Sequence, residues 1–238
     1  MSDKEFEGPG MDQSTAVRRF RRTVRSILCM AILIFGAGYA WAQSQASVGF
    51  TLDFPGSIPD HYMIVVFGDG HATYDSAGKL TPDAEAGDPF HLDFHVSPET
   101  RSKVFDLTAK AKYFEGKVDS GKKGLASTGD KMLSYQEGQR KTQAHYNYSP
   151  NPAVQELTAL FQNTSTTLEF GRRLTYYHQY QKLALDEELK RMDEMNRSGE
   201  MAELQAIAPI LREIIADQSI INVSRVRAQR LLAKAGLH

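Results

Sequence analysis

The sequence has 238 residues, of which 41% are hydrophobic and 24% charged, and its formal net charge is −1. This composition is that of an ordinary globular protein, and it excludes a disordered chain, a collagen-like repeat and a protein with many membrane spans. The near-neutral charge argues against a dedicated nucleic-acid-binding protein. Cys29 is the single cysteine, which excludes a disulfide framework and a cysteine-based zinc site.

The N-terminal segment has the pattern of an export signal. Five arginines precede an apolar run at residues 27–41, and Ala40-Trp41-Ala42 fits the small-x-small motif of a signal-peptidase site. We therefore predict that residues 1–42 are a signal peptide, cleaved near Ala42, and that the protein is periplasmic or secreted. The alternative is a single-pass inner-membrane protein that keeps residues 27–42 as its transmembrane helix, although this run is shorter than the ~20 residues that span a bilayer.

The cysteine distribution indicates the kind of cell. Residues 43–238 contain no cysteine. A secreted eukaryotic domain of this size usually carries disulfide bonds, so the pattern favours a bacterial envelope protein.

The first half of the exported part has the period-two alternation of strands. Single strands are predicted at residues 47–54 and 90–96, and a loop at residues 76–89 precedes the second of them. Two hairpins are also predicted, one turning at Gly68-Asp69-Gly70 and one at Glu137-Gly138-Gln139, because glycine tolerates the positive φ of tight turns.

The remaining segments have helical spacing. Helices are predicted over residues 98–114, 152–165, 168–197, 201–214 (with a kink at Pro209) and 222–235. Ser97 is predicted to cap the first of these helices. We therefore predict an α+β fold: an antiparallel sheet packed by helices, followed by a C-terminal helical hairpin and a terminal helix. Residues 43–150 would form the β-rich α+β domain, and residues 151–238 a helical region that packs on it or extends from it.

A motif runs from Pro59 to Tyr74: a proline, a tyrosine, an alternating strand, an Asp-Gly turn and a second tyrosine on the return strand. This motif resembles a family of bacterial envelope domains of unknown function, and the similarity extends over residues 47–162. The cysteine pair that many members carry is missing here. The resemblance implies a small α+β sheet domain, and it carries over no catalytic residues because the family has none assigned.

The candidate metal ligands are His91, Asp93 and His95. On a strand their side chains share one face, and neighbours ~7 Å apart can bind one metal ion together. The outer pair is ~13 Å apart, too far to share an ion, so a third ligand would come from another strand, such as His71 or Asp53. The alternative is that the three residues form the solvated face of an amphipathic strand.

The last predicted helix is basic. From Ser219 to the end there are four cations and no acids, whereas residues 183–217 contain nine acids and four cations. This charge pattern predicts that the basic helix lies beside the acidic segment. The alternative is that it binds anionic lipid or an acidic partner.

No nucleophile–base pair or metal-ligand set in the sequence identifies an enzyme. We therefore expect an exported, non-enzymatic binding or interaction protein of the bacterial envelope, without a cofactor, whose partner is an envelope protein or a small ligand rather than a nucleic acid. One alternative is a metal-dependent periplasmic enzyme that uses the His91/Asp93/His95 face. The other is a membrane-anchored protein whose long helix assembles with itself or with a partner.

Overall fold

Six antiparallel strands form the sheet on which the rest of the protein is built. The computed structural model describes residues 45–80 and 89–236, so the predicted leader and most of the predicted loop at residues 76–89 lie outside the described residues. The strands are β1 Ser47–Asp53, β2 His61–Phe67, β3 His71–Ala77, β4 Phe90–His95, β5 Asp130–Glu137 and β6 Arg140–Tyr146. Their order across the sheet is β4-β3-β2-β1-β5-β6, and every neighbouring pair is antiparallel.

Both predicted hairpin turns are confirmed. The turn between β2 and β3 is Gly68-Asp69-Gly70, in which Gly70 has φ 92° and donates its N–H to the Phe67 carbonyl. The turn between β5 and β6 contains Gly138 with φ 56°. A side chain is strained in this left-handed region, which explains why glycine ends these strands and sets the register of each hairpin.

Five α-helices follow or interrupt the strands within the described residues. They are α1 Pro98–Lys110, α2 Pro152–Tyr180, α3 Leu185–Arg197, α4 Ala208–Ala216 and α5 Asn222–Lys234. The predicted cap of α1 is confirmed, because the Ser97 hydroxyl accepts a hydrogen bond from the Thr100 backbone N–H at 3.2 Å. These elements confirm the predicted α+β fold.

Helix α1 is shorter than the sequence predicts. It ends at Lys110 rather than near residue 114, because Lys112, Tyr113 and Phe114 adopt positive φ angles of 53°, 55° and 65°. The chain therefore turns back after the helix, and the ring of Phe114 becomes almost fully buried. The free energy gained by burying this large aromatic side chain offsets part of the backbone strain of the three left-handed residues.

Helix α2 is a single long helix where the sequence predicts two. The Thr164 and Thr167 hydroxyls each donate a hydrogen bond to the carbonyl four residues earlier, so these polar side chains find their hydrogen-bond partners within the helix. The helix ends instead before Gln181, whose φ and ψ of −144° and 58° are not helical. The predicted helix at residues 201–214 is not one kinked helix: a 3-10 helix covers Leu204–Ile207, and Pro209 lies in the first turn of α4, where its missing N–H costs no helical hydrogen bond.

One hydrophobic core joins the sheet to the helices. At its centre the ring of Phe50 on β1 stacks on that of Phe161 on α2, with centroids 5.4 Å apart and planes inclined by 2°. Both rings are almost completely buried. The predicted sheet segment and helical segment thus share this core, and the described residues form one compact unit.

The basic helix α5 lies beside the acidic α3, as the charge pattern predicts. Arg227 Nε is 3.1 Å from Asp186 Oδ1, and Lys234 Nζ is 2.9 Å from Asp193 Oδ1. Two of the four cations on α5 therefore have carboxylate partners within the protein.

Within the part of the chain that the structure describes, no helix combines the length and apolar character needed to cross a membrane. The transmembrane interpretation of residues 27–42 concerns residues outside that part.

Candidate functional site

The predicted metal ligands lie on the exposed face of the sheet, opposite the helices. His91, Asp93 and His95 all point to this face of β4 and are exposed, as their alternation predicts. Each ring nitrogen of His91 contacts a carboxylate: Nδ1 is 2.7 Å from Asp75 Oδ1, and Nε2 is 3.2 Å from Asp93 Oδ2. These hydrogen bonds raise the pKa of His91, with Asp75 the larger cause and Asp93 the smaller.

His71 belongs to the same cluster, and Asp53 does not. His71 Nε2 lies 3.1 Å from Asp93 Oδ1, and its ring centroid is 5.7 Å from that of His95, its partner across the β3–β4 pair. Asp53 lies far from β4, because β2 and β3 lie between β1 and β4 in the sheet, and its carboxylate forms a hydrogen bond with His61 instead. The proposed use of Asp53 as a third ligand is therefore wrong, and only His71 is placed near the β4 residues.

These contacts arrange the cluster as imidazole–carboxylate pairs. Asp93 offers one oxygen to His71 and the other to His91, so both imidazoles use their Nε2 atoms for the same carboxylate. Among residues 45–80 and 89–236, no group of three or more His, Cys, Asp or Glu side chains is arranged to hold a metal ion. Metal binding at this face stays a prediction from the sequence.

A second candidate site is a pocket of about 360 Å³ between one end of the sheet and the helices α2 and α3. We call it the helix–sheet pocket. Its apolar wall comes from the end of β1, the following loop and the start of β2, and consists of Leu52, Phe54, Ile58, Pro59 and Tyr62. The opposite wall is a stripe along α2 formed by Gln162, Ser165, Thr166, Glu169, Phe170 and Arg173. Spacings of three and four residues put this mainly polar stripe on one face of the helix.

Glu169 is the centre of a buried hydrogen-bond network at the inner end of the pocket. Its side chain is 4% exposed, and its Oε1 accepts hydrogen bonds from Tyr74 Oη at 2.8 Å and from Ser76 Oγ at 2.7 Å. Its other oxygen, Oε2, lies 3.7 Å from Arg172 Nη1. Ser165 Oγ is 3.0 Å from Tyr74 Oη and extends the network along the helix. A buried carboxylate requires partners of this kind, because its removal from water is costly.

The two tyrosines beside this network remain protonated hydrogen-bond donors. Burial raises the pKa of Tyr62 above its usual value, while the Ser165 hydroxyl opposes the shift. Burial also raises the pKa of Tyr74, and the neighbouring Glu169 raises it further. Neither phenol is therefore suited to proton transfer near neutral pH, and both serve to orient neighbouring groups.

Two arginines define the charge of the pocket. Arg173 Nε donates to Glu188 Oε1 at 2.5 Å, and its guanidinium carbon lies 4.6 Å from the Phe170 ring centroid. Arg191 on α3 is exposed and lies 5.8 Å from the same centroid. No ion pair joins Arg191 to a carboxylate of the described residues, and its guanidinium adds one positive charge to the pocket lining.

This pocket is not among the sites that the sequence predicts. A polar residue at every third or fourth position of α2 was a detectable signal, but the sequence predicts a helix break inside that stripe. The residues that complete the pocket come from β1, β2, the loop between them, the segment after β3 and α3, and no local spacing connects these segments.

No family model matches this chain, and no curated protein matches it.

Proposed function

We propose that this protein is an exported, non-enzymatic binding protein of the bacterial envelope, and that it holds a small ligand in the helix–sheet pocket. The proposed export follows from the arginine-rich segment, the apolar run and the Ala40-Trp41-Ala42 motif. The proposed binding follows from the pocket, which has one apolar wall and one wall of ordered polar groups. Its volume is within the range of about 300–1,000 Å³ that is typical of small-molecule sites.

The observation that carries this proposal is the fixed position of the polar groups. Glu169 and Ser165 line the pocket, and Tyr74 and Ser76 behind them hold both in place through hydrogen bonds of 2.7 to 3.0 Å. Groups fixed in this way before a ligand arrives bind it with little further loss of entropy. Because burial raises the pKa values of Tyr62 and Tyr74, these two phenols act as hydrogen-bond donors rather than as catalytic bases.

The test of export uses the full chain, expressed with its own N-terminal segment in a bacterial host. Cell fractionation and intact mass should find the protein outside the cytosol and shortened near Ala42. A full-length protein dissolved in the cytosolic fraction would refute the envelope assignment.

The test of binding uses the protein purified from these cells. Small molecules that co-purify with it are released by denaturation and identified by mass spectrometry. Thr166→Trp fills the pocket from α2 and should remove the bound molecule, whereas Gln179→Trp is the matched control because Gln179 is exposed on the same helix. Identical small-molecule profiles for the two folded variants would refute binding in the pocket.

A further inference from the structure

We infer that the ligand of the helix–sheet pocket is a single-chain amphiphile with one negative charge, of the class of medium-chain fatty acids. This inference rests on the proposed binding function and names the chemistry of the molecule that would occupy the site. Three properties of the pocket carry it: exposed apolar side chains, a cation (Arg191) that forms no ion pair with the described carboxylates, and a small volume.

The apolar wall leaves hydrophobic surface in water. Phe54 and Ile58, in the loop that follows β1, are 36% and 54% exposed although both line the pocket. Leu52 and Tyr62 continue this wall inward and are buried. A hydrocarbon chain laid along the wall would remove the exposed part from water, which favours a ligand with an apolar body.

The charges of the pocket select an anionic head group. Glu169 is compensated by Arg172, and Arg173 is compensated by Glu188, so these two pairs leave no net charge. Arg191 adds one further positive charge at the pocket, and no ion pair joins it to a carboxylate of the described residues. A guanidinium binds a carboxylate through two parallel hydrogen bonds, so Arg191 fits a ligand with a single carboxylate.

The volume limits the apolar body to one chain. At about 360 Å³ the pocket is near the lower end of the range for small-molecule sites, about 300–1,000 Å³. A lipid with two acyl chains needs a larger volume, whereas one chain of medium length fits between the loop after β1 and the stripe on α2.

The experiment measures the affinity of three probes that differ only in the head group. Decanoate, decanol and decyltrimethylammonium, each below its micelle concentration, are titrated by calorimetry into the purified exported protein after bound small molecules have been removed. Decanoate should bind most tightly and the cationic probe most weakly. Arg191→Gln should weaken decanoate binding about fivefold, as expected for a partly solvated ion pair, and leave decanol binding unchanged. Lys190→Gln removes the neighbouring exposed charge on α3 outside the pocket, and should change neither affinity.

Two results would overturn the assignment of the ligand class. One is equal binding of decanoate and decanol, with Arg191→Gln indistinguishable from Lys190→Gln. The other is the absence of binding by all three probes. If a different small molecule still co-purifies with the wild-type protein and is lost from Thr166→Trp, the amphiphile is wrong while the binding function stands. If nothing co-purifies and no probe binds, both proposals fail.

Discussion

Replacement of Glu169 by alanine should destabilise the protein strongly, because this side chain joins the sheet to α2. The substitution removes the carboxylate oxygen that accepts hydrogen bonds from Tyr74 and Ser76, and both hydroxyls stay buried without this acceptor. Hydrogen bonds to a charged group contribute about 1.5–3 kcal/mol each, so the expected loss in the free energy of unfolding is about 3–5 kcal/mol. A loss of this size is a large fraction of the about 5–15 kcal/mol that stabilises a typical domain.

The assay is urea denaturation followed by circular dichroism, with Glu156→Ala as the matched control. Glu156 lies on the same helix, and its carboxylate is exposed and paired with Lys103 at 2.7 Å. The substitution is chemically identical in both variants, so changes in helix propensity cancel. The control should unfold at nearly the wild-type urea concentration. Equal shifts of the midpoint in the two variants would refute the assignment of Glu169 as the centre of the network.

The remaining predictions concern packing and pH. Gly171→Ala should destabilise by about 1–3 kcal/mol in the same assay, since the new Cβ would lie 2.4 Å from Ile207 Cγ2 and this β-branched side chain is stiff. Gly49→Ala should lower the free energy of unfolding by less, because the closest contact of the added Cβ is the Ser134 hydroxyl, which can rotate away. The pKa of His91 in the folded protein is above its usual 6.5, so its contribution to stability is fully present below pH 6.5 and is lost as pH rises through the folded-state pKa. Asp75→Asn should move that pKa back towards 6.5 in an NMR titration, and an unchanged pKa would show that the hydrogen bond does not cause the shift.

The strands were predictable because their signals are local. Alternation of apolar residues and the glycines at positions 68, 70 and 138 determine where each hairpin begins and ends, and the structure has both hairpins at those positions. The same alternation predicted that His91, Asp93 and His95 share one exposed face. Their partners were harder to predict, because the choice between His71 and Asp53 depends on the order of strands in the sheet.

The helical half was predicted less accurately because its boundaries depend on packing. The polar run around Ser165 looks like a break, yet its hydroxyls bond to the helix itself and to Tyr74 on β3. Conversely, no proline or glycine marks the break at Gln181, and the sequence gives no local reason for it. The pocket could not be predicted for the same reason, since the stripe on α2 faces an apolar wall that comes from residues about a hundred positions earlier in the chain.

The position of the helix–sheet pocket follows from the way in which α2 covers the sheet. At the centre, Phe161 packs flat on Phe50 and leaves no space between helix and sheet. One to three turns further along α2, the helix presents Ser165, Glu169 and Arg173, which are polar and cannot pack against aliphatic side chains without partners. The separation of apolar and polar positions along one helix face thus produces a close-packed core and, beside it, a pocket lined by ordered polar groups. Substitutions at Phe161 should therefore change stability, whereas substitutions at exposed Arg191 should change ligand affinity and leave stability nearly unchanged.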